Sequence, residues 1–192
     1  MLPPLLGNLK SLNELTLHFC DKLRRLTESV RELKELRTLM IHYARIERLP
    51  EDVTKLNHLE ILSVRYCLLI EMPFRTTLAD LTERRLLDSS LDNFIRMLRL
   101  KDLDLHGTRI TELLFPQGFF PNLQRLNISF CHELVEVGPS PTTLISLHLQ
   151  ECSSLKKIRG FSGLYTMRQR TQKRSFFSQG MTKLFAPVRT VM

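Results

Sequence analysis

The sequence lacks the motifs that mark catalytic, metal-binding or membrane-spanning sites. It contains no tryptophan, seven glycines and four cysteines in 192 residues, and it has no Cys-x-x-Cys pair of the kind that zinc sites use. It also has no Gly-x-x-x-x-Gly-Lys-Ser/Thr phosphate loop and no catalytic motif, so we expect neither nucleotide switching nor an enzyme. No apolar run reaches the roughly 18 residues of a membrane span. The start lacks a signal peptide, and we therefore expect a cytoplasmic protein, with the nucleus as the alternative.

What the sequence has in abundance is leucine at a regular spacing. The pattern Leu-x-x-Leu/Ile-x-apolar begins at six places: Leu12, Leu36, Leu59, Leu100, Leu123 and Leu144. The starts lie 21 to 24 residues apart, except for one interval of 41 residues. This is the period of a leucine-rich repeat, in which each unit supplies one short strand and buries its apolar side chains only by stacking on its neighbours. The sequence predicts an α/β solenoid of about seven repeats, with a curved parallel sheet on its concave face and loops or short helices on its convex face.

The spacing also predicts the domain boundaries. We expect a repeat domain over residues 1–164, with a degenerate repeat at about 74–98 that fills the long interval and is either a hinge, a specific loop or drifted sequence. The net charge of +8 is concentrated near the end, since residues 156–192 contain nine Lys and Arg and no acid. Residues 165–192 lose the leucine spacing and are expected to form a disordered basic tail. Nucleic acid or an anionic membrane is the conceivable partner of that tail, and a solvated extension without function is the alternative.

All four cysteines occupy one column of the repeat, just after the predicted strands: Cys20, Cys67, Cys131 and Cys152. Ala44 and Thr108 fill the same column in the other copies. A small side chain at this turn packs inward and bonds to the backbone of the loop. The shared column therefore predicts reduced, structural thiols.

The open face of the predicted sheet follows from the period of two residues along each strand. Side chains that alternate with the buried leucines point to this face, and one further position falls just after each strand. Aromatic and arginine side chains with adaptable polar neighbours are typical of protein-binding surfaces. The predicted partner-binding residues are His18, Phe19, Met40, His42, Tyr43, Arg65, Tyr66, Asp104, His106, Arg125, Phe130 and His148.

Three groups on this face have alternative interpretations. His18 and His42 fall on adjacent strands about 5 Å apart, but no third ligand accompanies them, so we expect polar surface and no metal site. Asp102, Asp104 and His106 share one strand with parallel side chains, which does not form a catalytic constellation. The aromatic position after the strand either packs under the turn or contacts a partner.

The turns after the strands resemble those of a known family. Cys20-Asp-Lys-Leu-Arg-Arg-Leu26, with the equivalent turns at Cys131 and Cys152, is similar to the Cys-x-x-Leu-x-x-Leu turns of plant intracellular nucleotide-binding, leucine-rich-repeat disease-resistance proteins. The resemblance covers residues 1–164. It implies repeats that recognise a pathogen molecule or a guarded host protein and that restrain an adjoining switch domain. For this chain itself we expect no cofactor and no small-molecule substrate.

The beginning of the sequence limits what the resemblance implies. Leu2-Pro3 matches Leu49-Pro50, so the chain starts within a repeat and without a polar capping unit. An uncapped end exposes core side chains, from which we expect a partner domain, a receptor fragment or a truncated gene product without independent activity.

Overall fold

The computed structural model describes residues 3–73, 97–115, 118–161 and 167–168, and the statements below refer to these ranges. Within them, seven strands form one parallel sheet: β1 (Glu14–His18), β2 (Thr38–His42), β3 (Ile61–Arg65), β4 (Asp102–Asp104), β6 (Arg125–Asn127), β8 (Ser146–His148) and β10 (Met167–Arg168). A second parallel sheet has three strands: β5 (Glu112–Leu113), β7 (Glu136–Val137) and β9 (Lys157–Ile158). Three short 3₁₀ helices span Pro4–Asn8, Glu28–Glu32 and Glu51–Lys55.

The core lies under the large sheet and is made of the repeated leucine positions. Leu39, Leu62, Leu103 and Leu126 are fully or almost fully buried, and each lies in the same register on its strand. The 3₁₀ helices add Val30 and similar residues to the same core. The predicted leucine-rich-repeat solenoid, with its parallel sheet and short convex helices, is confirmed.

The predicted columns of the open face are also the observed ones. Strand β1 pairs with β2 so that Thr16 lies beside Met40, and β2 pairs with β3 so that Met40 lies beside Ser63. The same register continues from Asp104 to Asn127 on the following strands. Stacking therefore converts a sequence period into rows of side chains that cross the sheet.

The long interval between the third and fourth copies does not separate them in the sheet. Leu62 of β3 lies directly beside Leu103 of β4, and no strand from the interval is inserted at this place. The predicted degenerate repeat (74–98) falls outside the described residues except for its last two. Most of the predicted basic tail (165–192) is also outside them, apart from β10, which pairs with β8.

No helix among the described residues has the length and apolar character needed to cross a membrane.

Candidate functional site

The turn after each strand holds its first residue in the left-handed conformation. Phe19, Tyr43, Tyr66 and Phe130 have φ between 50° and 60°, and Gly107 has φ of 67° at the same place in the fourth copy. This conformation costs a residue with a Cβ about 1–2 kcal/mol. The next repeat holds it in place, because the amides of Phe19 and Tyr43 donate to carbonyls of the following strand at 3.0 Å.

The side chains at these turns form one continuous aromatic row, which consists of Phe19, Tyr43, Tyr66, His106 and Phe130. The ring centroids of Phe19 and Tyr43 are 4.9 Å apart and those of Tyr43 and Tyr66 are 4.8 Å apart, with the rings nearly parallel. His106 continues the row at 4.9 Å from Tyr66 and 5.0 Å from Phe130. The phenylalanines and tyrosines are 39% to 71% exposed. The aromatic position therefore does not pack under the turn.

Glycine in the fourth copy makes room for the row. A Cβ on Gly107 would lie 2.7 Å from Cδ1 of Tyr66, closer than any real contact, so the Tyr66 ring covers this glycine. The Tyr66 hydroxyl is 2.8 Å from Nε2 of His106 and the two groups are hydrogen-bonded. His106 thus takes the place of the missing aromatic residue, which the sequence columns alone did not indicate.

The histidines of the open face are packed and polar. His18 and His42 stack with centroids 4.7 Å apart, close to the spacing expected from the sequence, and Nε2 of His42 is 2.8 Å from Oγ of Ser63. Burial, and then the neighbouring His18 and Arg65, lower the pKa of His42. Burial also lowers the pKa of His106, against the opposing effect of Asp104. In the described ranges, no group of three or more His, Cys, Asp or Glu is placed to hold a metal ion.

Charged residues on this face are paired across the strands. Arg65 donates from Nε to Asp104 at 2.6 Å, and Arg125 forms a two-pronged ion pair with Asp102. The charges of three predicted contact residues, Arg65, Arg125 and Asp104, are therefore neutralised by ion pairs within the protein. Such exposed pairs add about 0–1 kcal/mol each to stability. Their main consequence is that this part of the open face is nearly neutral and its side chains are ordered.

The remaining predicted residues also lie on the open face. Met40 is half-buried in the middle of β2, where it lies between Thr16 of β1 and Ser63 of β3 in the same column. His148 is exposed on β8, where Nε2 is 3.2 Å from Oγ of Ser146. All twelve predicted residues thus lie on one surface, and five of them form the aromatic row.

The cysteine column is structural, as predicted. The thiol of Cys67 donates to the carbonyls of Ile41 and Arg65 at 3.4 and 3.3 Å, and that of Cys152 donates to the carbonyl of Ile128 at 3.0 Å. All four cysteines are free thiols. Burial raises the pKa of Cys67 and raises that of Cys152 to about 12. A thiol with a raised pKa is a poor nucleophile, so Cys67 and Cys152 are poorly suited to nucleophilic chemistry.

Comparisons with known proteins reach only the level of the fold. No protein-family model matches the sequence, and no curated protein matches it. A leucine-rich repeat protein of Leptospira interrogans is similar in structure, with a TM-score of 0.46 and 15% identity over 83% of this chain and 51% of that one. The leucine-rich repeat domain of the type III effector XopL has a TM-score of 0.43 and 18% identity over 84% and 73% of the two chains.

A third similar structure is the leucine-rich repeat ectodomain of an Arabidopsis thaliana membrane receptor kinase in complex with CASPARIAN STRIP INTEGRITY FACTOR 2. Its TM-score is 0.46 at 16% identity, over 88% of this chain and 20% of that one. This chain spans about half the length of the Leptospira protein that it matches. At these identities the likeness concerns the leucine-rich-repeat fold alone.

Proposed function

We propose that this repeat array is a protein-recognition module, and that its partner binds the aromatic row and the adjoining open face of the sheet. The observation that carries this proposal is the exposed row itself, in which Phe19, Tyr43, Tyr66 and Phe130 are held in register. Aromatic side chains are enriched at protein interfaces, and tyrosine is among the residues that contribute most to their binding energy.

The fold does not need aromatic residues at these turns. Gly107 and Glu151 occupy the same left-handed position in two other copies, with φ of 67° and 53°. A glycine would avoid both the backbone strain and the exposure of apolar surface. Stacking between neighbouring rings adds only about 0.5–1.5 kcal/mol per pair. A row that combines strain with exposure is best explained by contact with another molecule.

The chemistry beside the row favours a protein partner. His42 is hydrogen-bonded and has a lowered pKa, and Arg65 is neutralised by Asp104. The surface therefore offers ring edges and neutral hydrogen-bonding groups with little net charge. Protein interfaces have this composition, with charged residues depleted at their cores.

We further infer that the module is of the plant intracellular immune-receptor type, in the cytoplasm, with a pathogen protein, a guarded host protein or an adjoining switch domain as its partner. The Cys-x-x-Leu-x-x-Leu turns at Cys20, Cys131 and Cys152 support this assignment. Their free thiols, bonded to backbone carbonyls, suit a reducing compartment.

Site-specific photo-crosslinking tests the proposed surface. The full chain with p-benzoylphenylalanine in place of Tyr43 is irradiated in plant extract, and covalent adducts are identified by mass spectrometry. We expect a discrete protein adduct, because this side chain lies in the middle of the row. The matched control carries the same group in place of Glu28, which is exposed on a convex 3₁₀ helix. Equal adducts from both positions, or an adduct from position 28 alone, would contradict the proposed surface.

A further inference from the structure

Two exposed phenol rings are neighbours in the aromatic row. The centroids of Tyr43 and Tyr66 are 4.8 Å apart and the ring planes are inclined by only 11°. Tyr43 is 45% and Tyr66 46% exposed, so an oxidant in solution reaches both rings. The ring on the other side of Tyr43 belongs to Phe19, which has no phenolic hydroxyl. A radical formed on either tyrosine therefore has the other tyrosine as its coupling partner within the row.

Tyr66 also has a proton acceptor within hydrogen-bond distance. Its hydroxyl is 2.8 Å from Nε2 of His106. Burial lowers the pKa of His106, although Asp104 opposes this shift, so the imidazole is neutral at about pH 7. In the tautomer that carries its proton on Nδ1, Nε2 accepts the phenolic proton. A phenol that loses an electron becomes a strong acid, and a base in contact with it makes that loss easier.

Most of the thiols compete poorly for a one-electron oxidant. The sequence has no tryptophan, so tyrosine and cysteine are its most readily oxidised side chains. Burial raises the pKa of Cys67, Cys131 and Cys152. Because the oxidation of a thiol follows its thiolate fraction and its exposure, these three react slowly. The tyrosine pair is accessible where these thiols are not.

We propose that Tyr43 and Tyr66 are an oxidative modification site, at which a peroxidase with hydrogen peroxide joins them as dityrosine. Each phenol loses one electron and its proton and becomes a phenoxyl radical. The radicals form a carbon-carbon bond between ring carbons ortho to the two oxygens, and the hydrogens on these carbons then move to the oxygens and restore both hydroxyls. The peroxide takes up two electrons and two protons and is reduced to two molecules of water.

This modification goes beyond the proposed recognition function and does not depend on it. The second and third copies of the repeat are held together by packing and by hydrogen bonds, such as the one from the amide of Tyr43 to the carbonyl of Arg65 at 3.0 Å. A dityrosine bond would join these copies covalently and close the loop of chain between residues 43 and 66. Because such a closure restricts the unfolded chain, as a disulfide does, we expect the oxidised protein to unfold at a higher urea concentration.

Oxidation of the full chain by a haem peroxidase and hydrogen peroxide tests the site. We expect the blue fluorescence of dityrosine in a product of monomer size, and mass spectrometry should find the peptides of Tyr43 and Tyr66 joined with the loss of two hydrogens. Tyr43→Phe and Tyr66→Phe keep the rings and should each lower this yield about tenfold or more. The control Tyr165→Phe removes the third tyrosine of the sequence and should leave the yield unchanged. Dityrosine only between separate chains, or an undiminished yield from Tyr43→Phe, would overturn the proposal.

The role of His106 is tested separately. His106→Gln keeps a hydrogen-bonding side chain beside Tyr66 but removes the base, so we expect the initial rate of dityrosine formation to fall about tenfold. His148→Gln makes the same change at an exposed position on β8, outside the row, and should react like the wild type. Circular dichroism checks that each variant is folded. Equal rates for the two glutamine variants would overturn the assignment of His106 as the proton acceptor.

Discussion

Replacing Tyr43 and Tyr66 together with alanine is expected to weaken binding of the crosslinked partner about a hundredfold or more. The two rings lie in the middle of the row, where Tyr43 stacks on Phe19 and Tyr66 contacts His106. Buried aromatic side chains at the centre of an interface contribute about 1–2 kcal/mol or more each, and their loss acts mainly on the dissociation rate. Surface plasmon resonance with the immobilised partner measures both rates.

The control for this variant is Leu98→Ala, which removes an exposed apolar side chain outside the row. We expect wild-type affinity for it. A tyrosine double variant that is folded by circular dichroism and binds as tightly as Leu98→Ala would show that the partner contacts another surface.

Gly107→Ala is expected to lower the free energy of unfolding by about 2–3 kcal/mol. A residue with a Cβ at φ of 67° is strained by about 1–2 kcal/mol. The new methyl group would also lie 2.7 Å from the Tyr66 ring and displace it, which breaks the hydrogen bond to His106, worth about 1 kcal/mol. Urea unfolding measures the change, and tyrosine fluorescence reports the ring in a chain that has no tryptophan.

Gly118 provides a matched control for the glycine variant. It has φ of 71°, but nothing lies within 4 Å of a Cβ placed on it. Gly118→Ala therefore carries the same backbone strain without the collision, and we expect a loss of about 1–2 kcal/mol. Equal losses for the two variants, with unchanged tyrosine fluorescence in both, would contradict the packing of Tyr66 on Gly107.

The face of the sheet that each side chain occupies could be predicted from the sequence, because successive side chains along a strand must alternate between the two faces. Once Leu39 is buried, Met40 must point to the other face, and the stacking of equal repeats places it beside Thr16. The cysteine column followed from the same reasoning. These features depend on local geometry and on burial alone, which a regular sequence encodes directly.

The pairing within the face could not be predicted in the same way. Arg65 and Asp104 are 39 residues apart, and they meet only because the third copy stacks directly on the fourth. The extra repeat that we expected between these two copies would have separated the two residues. The left-handed conformation of the turns was also not predicted, because aromatic residues rarely adopt a positive φ and nothing about Tyr66 itself indicates this conformation. Gly107, in the aromatic position of its copy, was the available clue.

Hydrogen–deuterium exchange of the full chain with and without the crosslinked partner tests the central claim most directly. If the aromatic row and the open face form the binding surface, exchange slows at β1, β2 and β3 and at the turns that follow them. The 3₁₀ helices Glu28–Glu32 and Glu51–Lys55, on the other side of the core, exchange as in the free protein. Slower exchange in these helices, with no change in the turns that carry Phe19, Tyr43 and Tyr66, would contradict the account.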